Sequence, residues 1–164
     1  MSKKVGIIMG SASDLPVVEK AVGVLDELDV PYEVHIYSAH RTPEEARDFA
    51  VNARDNGFGV IICAAGMAAH LAGAIAANTT LPVIGIPIKS SFDGMDALLS
   101  TIQMPSGIPV AAVAVDGAKN AALLACEILS VSSVEIADKL AEMRKEGASA
   151  VLEKNAEIES RFNK

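Results

Sequence analysis

The chain has 164 residues, 51% hydrophobic and 21% charged, which excludes a disordered tail or fibre and suits one domain burying about 70% of its unfolded surface. Fourteen basic against 21 acidic residues, a net charge of −7, 4% aromatics and no Trp exclude a basic nucleic-acid footprint and a base-stacking platform. Mean hydropathy is high at +0.34, but no apolar run reaches the ~18 residues of a membrane span, and Val5–Met9 is too short for a signal-peptide core, so the expectation is a cytoplasmic protein whose surplus apolar surface is covered by partner subunits.

Val5-Gly-Ile-Ile-Met9 is a short continuous apolar run, the pattern of a strand buried on both faces. Gly10-Ser-Ala-Ser-Asp14 breaks it, after which Val17, Val18, Ala21, Val22, Leu25 and Leu28 recur at helical spacing. Val30-Pro31 turns the chain into a second strand over 32–37, and Ser38-Ala-His-Arg-Thr42 forms the next loop. Thr42 is placed to cap the helix that follows, with Pro43 in its first turn and Glu44 and Glu45 where the helix dipole favours acids. Gly59-Val-Ile-Ile-Cys63 predicts a third strand, and an alanine-rich helix from Met67 to Asn78 follows Ala64-Ala-Gly66. A fourth strand over 82–86, a loop over 89–96, a short helix over 97–102, a fifth strand over 108–115 and a helix over 119–129 complete the alternation. Strand and helix alternating five times predict a parallel five-stranded sheet with helices on both faces, in a single domain spanning 1–164.

From Ser133 to about Phe162 the pattern is a long amphipathic helix with Ile136, Leu140, Met143, Val151, Leu152 and Ile158 as its apolar positions. Thirty residues at ~1.5 Å each reach ~45 Å, well beyond a radius of gyration of about 15 Å, so residues 133–162 are expected to pack on a neighbouring subunit. The alternative is a bend at Gly147 that folds the helix back on its own domain. Ala68, Ala69, Ala72, Gly73, Ala74, Ala76 and Ala77 leave almost no polar face on the preceding alanine-rich helix, which suggests further burial by other subunits. Cys63 and Cys126, 63 positions apart in apolar surroundings, read as buried free thiols in a reducing compartment.

In open parallel sheets ligands bind beyond the carboxyl ends of the strands, and three post-strand loops here carry reactive or anion-binding groups. In the first, Ser11 and Ser13 hydroxyls with exposed amides at a helix start can seat a phosphate, while Asp14 can accept from ribose hydroxyls; an ordinary cap by Ser13 or Asp14 is the bland alternative. In the second, His40 can carry a proton near neutral pH, and Arg41 offers a planar fork to a carboxylate or phosphate. His70, read as lying inside the alanine-rich helix, suits a supporting role better than a catalytic one, and His35, alternating within a strand, has no chemical role. No two histidines or cysteines have metal-ligand spacing, so no metal is expected, and no GxSxG nucleophile motif occurs.

Gly10-Ser-Ala-Ser-Asp14, Ser38-Ala-His-Arg-Thr-Pro43, Gly66-Met-Ala-Ala-His-Leu71, Gln103-Met-Pro-Ser-Gly107 and Asn120-Ala-Ala-Leu-Leu-Ala125 run in that order across about residues 4–130. Together they make the chain resemble the N5-carboxyaminoimidazole ribonucleotide mutase family, the bacterial PurE enzymes of purine biosynthesis. The resemblance implies a flavodoxin-like three-layer α/β/α sandwich assembled as a homo-octamer. It implies a ribonucleotide substrate whose carboxylate moves from the exocyclic nitrogen to ring carbon C4, with no cofactor. It implies nucleotide binding by Ser11, Asp14 and Arg41, proton shuttling by His40, and a pocket lined also by Ser38, Gly66 and His70. The chain departs from the common bacterial pattern at Met67, where that form has Gly, at Ala72, where it has Pro, and in a loop over 89–96 that is about one residue shorter. Two other readings compete: carboxylation of aminoimidazole ribonucleotide by free CO₂, and a non-enzymatic flavodoxin-like binding module. Under the nucleotide reading, local amides, Arg41 and Lys89 have to outweigh the overall negative charge.

Overall fold

The structure, a computed structural model of the chain, describes residues 3–67 and 70–163. Among them the elements run β1 (Lys4–Met9), α1 (Leu15–Glu27), β2 (Tyr32–Ile36), α2 (Pro43–Asn52), β3 (Phe58–Ala65), α3 (Leu71–Ala76), β4 (Val83–Pro87), α4 (Met95–Ile102), β5 (Ala111–Ala112), α5 (Ala118–Ser130) and α6 (Val134–Phe162). The strands pair in parallel in the order β2-β1-β3-β4-β5, the flavodoxin-like order with its topological switch between β1 and β3.

Because side chains alternate across a strand, the apolar runs of β1, β3 and β4 feed two cores. Val5, Ile7, Met9, Val60, Ile62, Ile84 and Ile86 face α1, α5 and the start of α6, whereas Ile8, Ile61, Cys63 and Val83 face α2 and α3. Each fully buried isoleucine stabilises the fold by about 1.5–3 kcal/mol relative to leaving it in water. On the second face α4 approaches β4 so closely that a Cβ at Gly85 would lie 2.3 Å from Cγ2 of Thr101. Cys63 and Cys126 are buried and free, and burial raises both thiols, Cys126 to about 11.

Three local expectations need correction. The fifth strand keeps only Ala111–Ala112 of the expected 108–115, because this edge segment pairs on one side only and Pro109 has no N–H to donate. The alanine-rich helix begins at Leu71, and His70 stands at its N-cap with φ −101° and ψ 42°; Ala68 and Ala69 lie outside the described residues. The chain itself covers part of this helix: Leu71, Ala72, Gly73, Ile75 and Ala76 are buried against its own sheet and helices, whereas Ala74 is half-buried and Ala77 exposed. Thr42 occupies the N-cap of α2 without capping it, because its hydroxyl is engaged with the backbone of Ser38.

The long C-terminal helix is continuous through Gly147, which removes the fold-back alternative. Ser133 caps it by accepting from the Ile136 N–H, and Ile136 and Leu140 are buried with Met143 packed beside them. Lys139 ties this first part down through Asp29 at 3.0 Å and the carbonyl of Leu28 at 3.2 Å. Beyond Met143 every residue through Asn163 is exposed, including Val151, Leu152, Ile158 and Phe162. No helix among the described residues is long and apolar enough to cross a membrane.

Candidate active site

The carboxyl ends of β1, β2, β3 and β4 surround a cavity of about 670 Å³. Into it the fold brings Ser11, Ser13 and Asp14 from the loop after β1, Ser38, His40 and Arg41 from the loop after β2, Gly66 and Met67 after β3, and Lys89 and Ser90 after β4. A larger cavity of about 1000 Å³ lies at the opposite end of the sheet, beside Arg54, Thr80, Val83 and Ala111. That cavity has no histidine in its lining, lies beyond the amino ends of β4 and β5, and its Arg54 donates to Thr80 Oγ1 at 2.9 Å, so His40, grouped with Arg41 and the serines, singles out the smaller one.

The first loop is built around Ser11. Its hydroxyl oxygen accepts from the Ser13 N–H at 3.3 Å and from the Ser13 hydroxyl at 2.9 Å, starting a 3-10 turn over Ala12–Asp14 that leads into α1. Asp14 is buried, and desolvation raises its carboxyl above the ordinary range despite opposing hydrogen bonds from the Ser13 side chain and the Ser11 backbone. The adjacent hydroxyls and the helix start form the polar end of the cavity.

The second loop is held from inside by Ser38. Its Oγ accepts the backbone N–H of His40 at 3.3 Å and of Arg41 at 3.2 Å, while its own N–H donates to Thr42 Oγ1 at 2.8 Å. The His40 side chain is thereby carried on a backbone fixed by local bonds, with its ring free of any hydrogen-bond partner among the described residues. Arg41 reaches across to donate from Nη2 to the carbonyl of Gly10 at 3.0 Å, joining the second loop to the first.

The third wall comes from the ends of β3 and β4. Ile88 donates its N–H to Ala65 at 2.9 Å, and Met67 donates its N–H to Ser90 Oγ at 3.1 Å. Met67 holds a left-handed backbone, φ 47°, a conformation that favours glycine, and its side chain is exposed at the cavity rim. Ser11, Ser13, Asp14, Ser38, His40, Arg41 and Gly66 thus share one cavity. His70 stands apart from its lining: the ring packs over Gly73, and Nδ1 lies 2.6 Å from the carbonyl oxygen of Ser100 at the end of α4. Met67 and Ser90 carry no chemical signal in the sequence beyond their position in post-strand loops.

The AIRC family, described as AIR carboxylase, matches residues 4–150. The N5-carboxyaminoimidazole ribonucleotide mutase of Pyrococcus horikoshii is 57% identical over 156 residues, covering 94% of this chain and 88% of that protein. The corresponding mutase of Thermotoga maritima is 50% identical over 157 residues, 95% of this chain and 92% of its own length. Among solved structures, that of Treponema denticola PurE superposes with a TM-score of 0.87 at 32% identity, covering 99% of each chain.

Proposed function

The chain belongs to the AIR carboxylase family, and from that premise we propose that it converts N5-carboxyaminoimidazole ribonucleotide to its C4-carboxylated isomer, with His40 carrying the proton. The activity is that of an isomerase of purine biosynthesis, an intramolecular carboxyl transfer. The observation that carries the assignment of roles is the convergence of Ser11, Ser13, Asp14, Ser38, His40 and Arg41 on one cavity of about 670 Å³, a size that suits a small ligand.

The phosphate sits on the hydroxyls and amides of the first loop with Arg41 beside it, and Asp14 accepts from the ribose. The N–CO₂⁻ bond then breaks, CO₂ departs, and the electron pair left on nitrogen takes a proton from the His40 imidazolium. Carbon C4 attacks the CO₂ carbon. The neutral His40 ring removes the C4 proton, which restores the aromatic ring and returns the imidazolium. Atoms and protons balance with no external donor. Ala65, Gly66, Leu71 and Ile88 form an apolar wall of the cavity, which suits the holding of free CO₂ between the two steps. The His40→Asn variant should lose at least ~10²-fold in the rate of isomerisation measured without ATP, while still binding nucleotide. Full activity in that variant overturns the role of His40. Efficient product formation from aminoimidazole ribonucleotide and modest bicarbonate would instead favour direct carboxylation.

The working form is a cytoplasmic homo-oligomer, an octamer by family resemblance, with the outer part of α6 seated on a neighbouring subunit. The apolar residues Val151, Leu152, Ile158 and Phe162, exposed along that stretch, support this.

A further inference from the structure

We propose that Lys89 is the cation that pairs with the substrate's carboxylate on nitrogen and again with the product's carboxylate on C4, leaving Asp93 to do so. The inference rests on the mutase reading and adds a residue to it.

Lys89 directly follows Ile88 at the carboxyl end of β4 and lines the same cavity as His40. Its backbone is anchored: the N–H donates to Asp116 Oδ1 at 2.9 Å, in the turn before α5. Its head group is loosely held, because Nζ lies 3.0 Å from Asp93 Oδ1 in a pair whose side chains are 59% and 90% exposed. An exposed ion pair of this kind is weak, so a ligand carboxylate in a more enclosed cavity can displace Asp93 readily. Asp93 itself sits on a loop in which Phe92, Asp93 and Gly94 all adopt left-handed backbone, φ 46°, 54° and 85°.

Charge accounting separates Lys89 from the other cations of the site. The substrate brings a phosphate and a carboxylate at opposite ends. Arg41 is tied to Gly10 at the β1 end, beside the hydroxyl-rich loop suited to phosphate. His40 must gain and lose a proton during turnover and cannot serve as a constant counter-charge. β1 and β4 are separated by β3, so their ends lie about 10 Å apart, and a nucleotide whose phosphate occupies the β1 loop brings its carboxylate to Lys89 when its ring extends across the cavity toward β3 and β4. A lysine suits that position because its compact charge on a flexible four-carbon stem can meet a carboxylate on the exocyclic nitrogen and, once C4 has captured the neutral CO₂, a carboxylate on C4, whereas a planar guanidinium would fix one of the two.

The test compares Lys89→Met, Lys89→Arg and Asp93→Asn with the parent enzyme, measuring the affinities of the C4-carboxylated ribonucleotide and of aminoimidazole ribonucleotide, which differ by that one carboxylate, together with isomerisation kinetics. Lys89→Met should weaken the carboxylated ligand by about tenfold or more and the uncarboxylated one by less than about twofold. Lys89→Arg should recover most of the affinity but not the full kcat, and Asp93→Asn should tighten the carboxylated ligand. Equal weakening of both ligands in Lys89→Met, or no change in either, overturns the proposal. Because the binding comparison needs no turnover, failure of the parent enzyme to isomerise the substrate would count against the mutase reading alone.

Discussion

The guanidinium of Arg41 donates from Nη2 to the carbonyl oxygen of Gly10, 3.0 Å away, and so fastens the loop after β2 onto the loop after β1. This bond ties the backbone that carries His40 to the loop that carries Ser11 and Ser13. Arg41→Ala should lower kcat/KM by about tenfold to a hundredfold, the loss expected for one hydrogen bond to a charged group, mainly through KM. Arg41→Lys should recover less than half of that free energy, because an ammonium cannot hold the Gly10 carbonyl and a phosphate in the same fork geometry. Steady-state kinetics on the two variants decides the matter; a lysine variant equal to the parent would show that only charge counts.

Ser38 acts one step further back. Its hydroxyl accepts the N–H groups of both His40 and Arg41, so Ser38→Ala releases two backbone donors at once. The loop is surface-exposed and water can satisfy those donors, so the melting temperature should shift little, by less than about 1 kcal/mol of stability. The kinetic loss should be larger, about three- to thirtyfold in kcat/KM, because the misplacement reaches both groups of the pair. An unchanged kcat/KM would show that the loop holds its shape without the hydroxyl.

Much of this site was legible in the sequence because its groups sit where parallel strands end. The apolar runs Val5–Met9 and Gly59–Cys63 located β1 and β3 to within two residues, and the loops that follow them were recognisable by their Gly, Ser and His-Arg content. What escaped depends on contacts that spacing along the chain does not display. Thr42 has the side chain of a cap, but Ser38 claims its hydroxyl. His70 has a helical neighbourhood in sequence, yet it ends as a cap whose ring is oriented by Ser100, thirty positions later. The alanine-rich helix buries Leu71, Ala72, Gly73, Ile75 and Ala76 against α2, α4 and the sheet, a tertiary arrangement that composition cannot separate from subunit contact. The apolar pattern over 108–115 exceeds β5 because an edge strand carries the same apolar residues as a paired one while making far fewer ladder bonds.

The seat of His70 yields a coupling prediction. A Cβ on Gly73 would lie 1.8 Å from Nε2 of His70, so the ring can keep its bond to Ser100 only while position 73 is glycine. Gly73→Ala should cost about 1–3 kcal/mol as an overpacked site, and His70→Ala about 1–3 kcal/mol for the lost hydrogen bond to Ser100 and the lost packing. With the ring gone, alanine at 73 meets no obstacle and gains helix propensity, so the double variant should be more stable than the sum of the two losses implies by at least ~1 kcal/mol. Urea unfolding of the four proteins measures this; strict additivity would mean that ring and glycine do not meet.

Asp14 supplies a pH prediction with a definite sign. Burial raises its carboxyl above the unfolded value of about 4, so in the window above 4 the folded chain binds a proton that the unfolded chain has released. Stability contributed by this group is therefore fully present at low pH and declines as pH rises through the raised folded value. Asp14→Asn removes the penalty: its melting temperature relative to the parent should be near zero difference at pH 3 and higher at pH 7. Glu33 runs the other way, since Lys4 and then His35 hold its carboxyl below the ordinary range, and its contribution disappears as pH falls. A Glu33→Gln control separates the two slopes. The stabilised Asp14→Asn enzyme should nonetheless bind the nucleotide more weakly, the usual exchange at a site that keeps a buried carboxylate for function. A parent-like pH profile in Asp14→Asn would remove Asp14 as the source of the effect.

The outer half of α6 tests the oligomer directly. Ile136, Leu140 and Met143 secure the helix to its own domain, whereas Val151, Ile158 and Phe162, spaced seven and four residues apart on one stripe, are 55–67% exposed. A helix of 29 residues extends ~43 Å, and an isolated helical arm keeps its shape in water poorly unless its apolar stripe is covered. Ending the chain after Met143 should leave the cooperative unfolding of the α/β body intact, because neither core loses a residue. The mass in solution, measured by sedimentation equilibrium, should fall to a smaller species than the full chain forms. Val151→Asp with Ile158→Asp should do the same without shortening the protein, since each buried aspartate would cost more than the apolar contact it replaces contributes. A full-size assembly persisting in both variants would show that α6 lies free in solution and that other surfaces hold the subunits together.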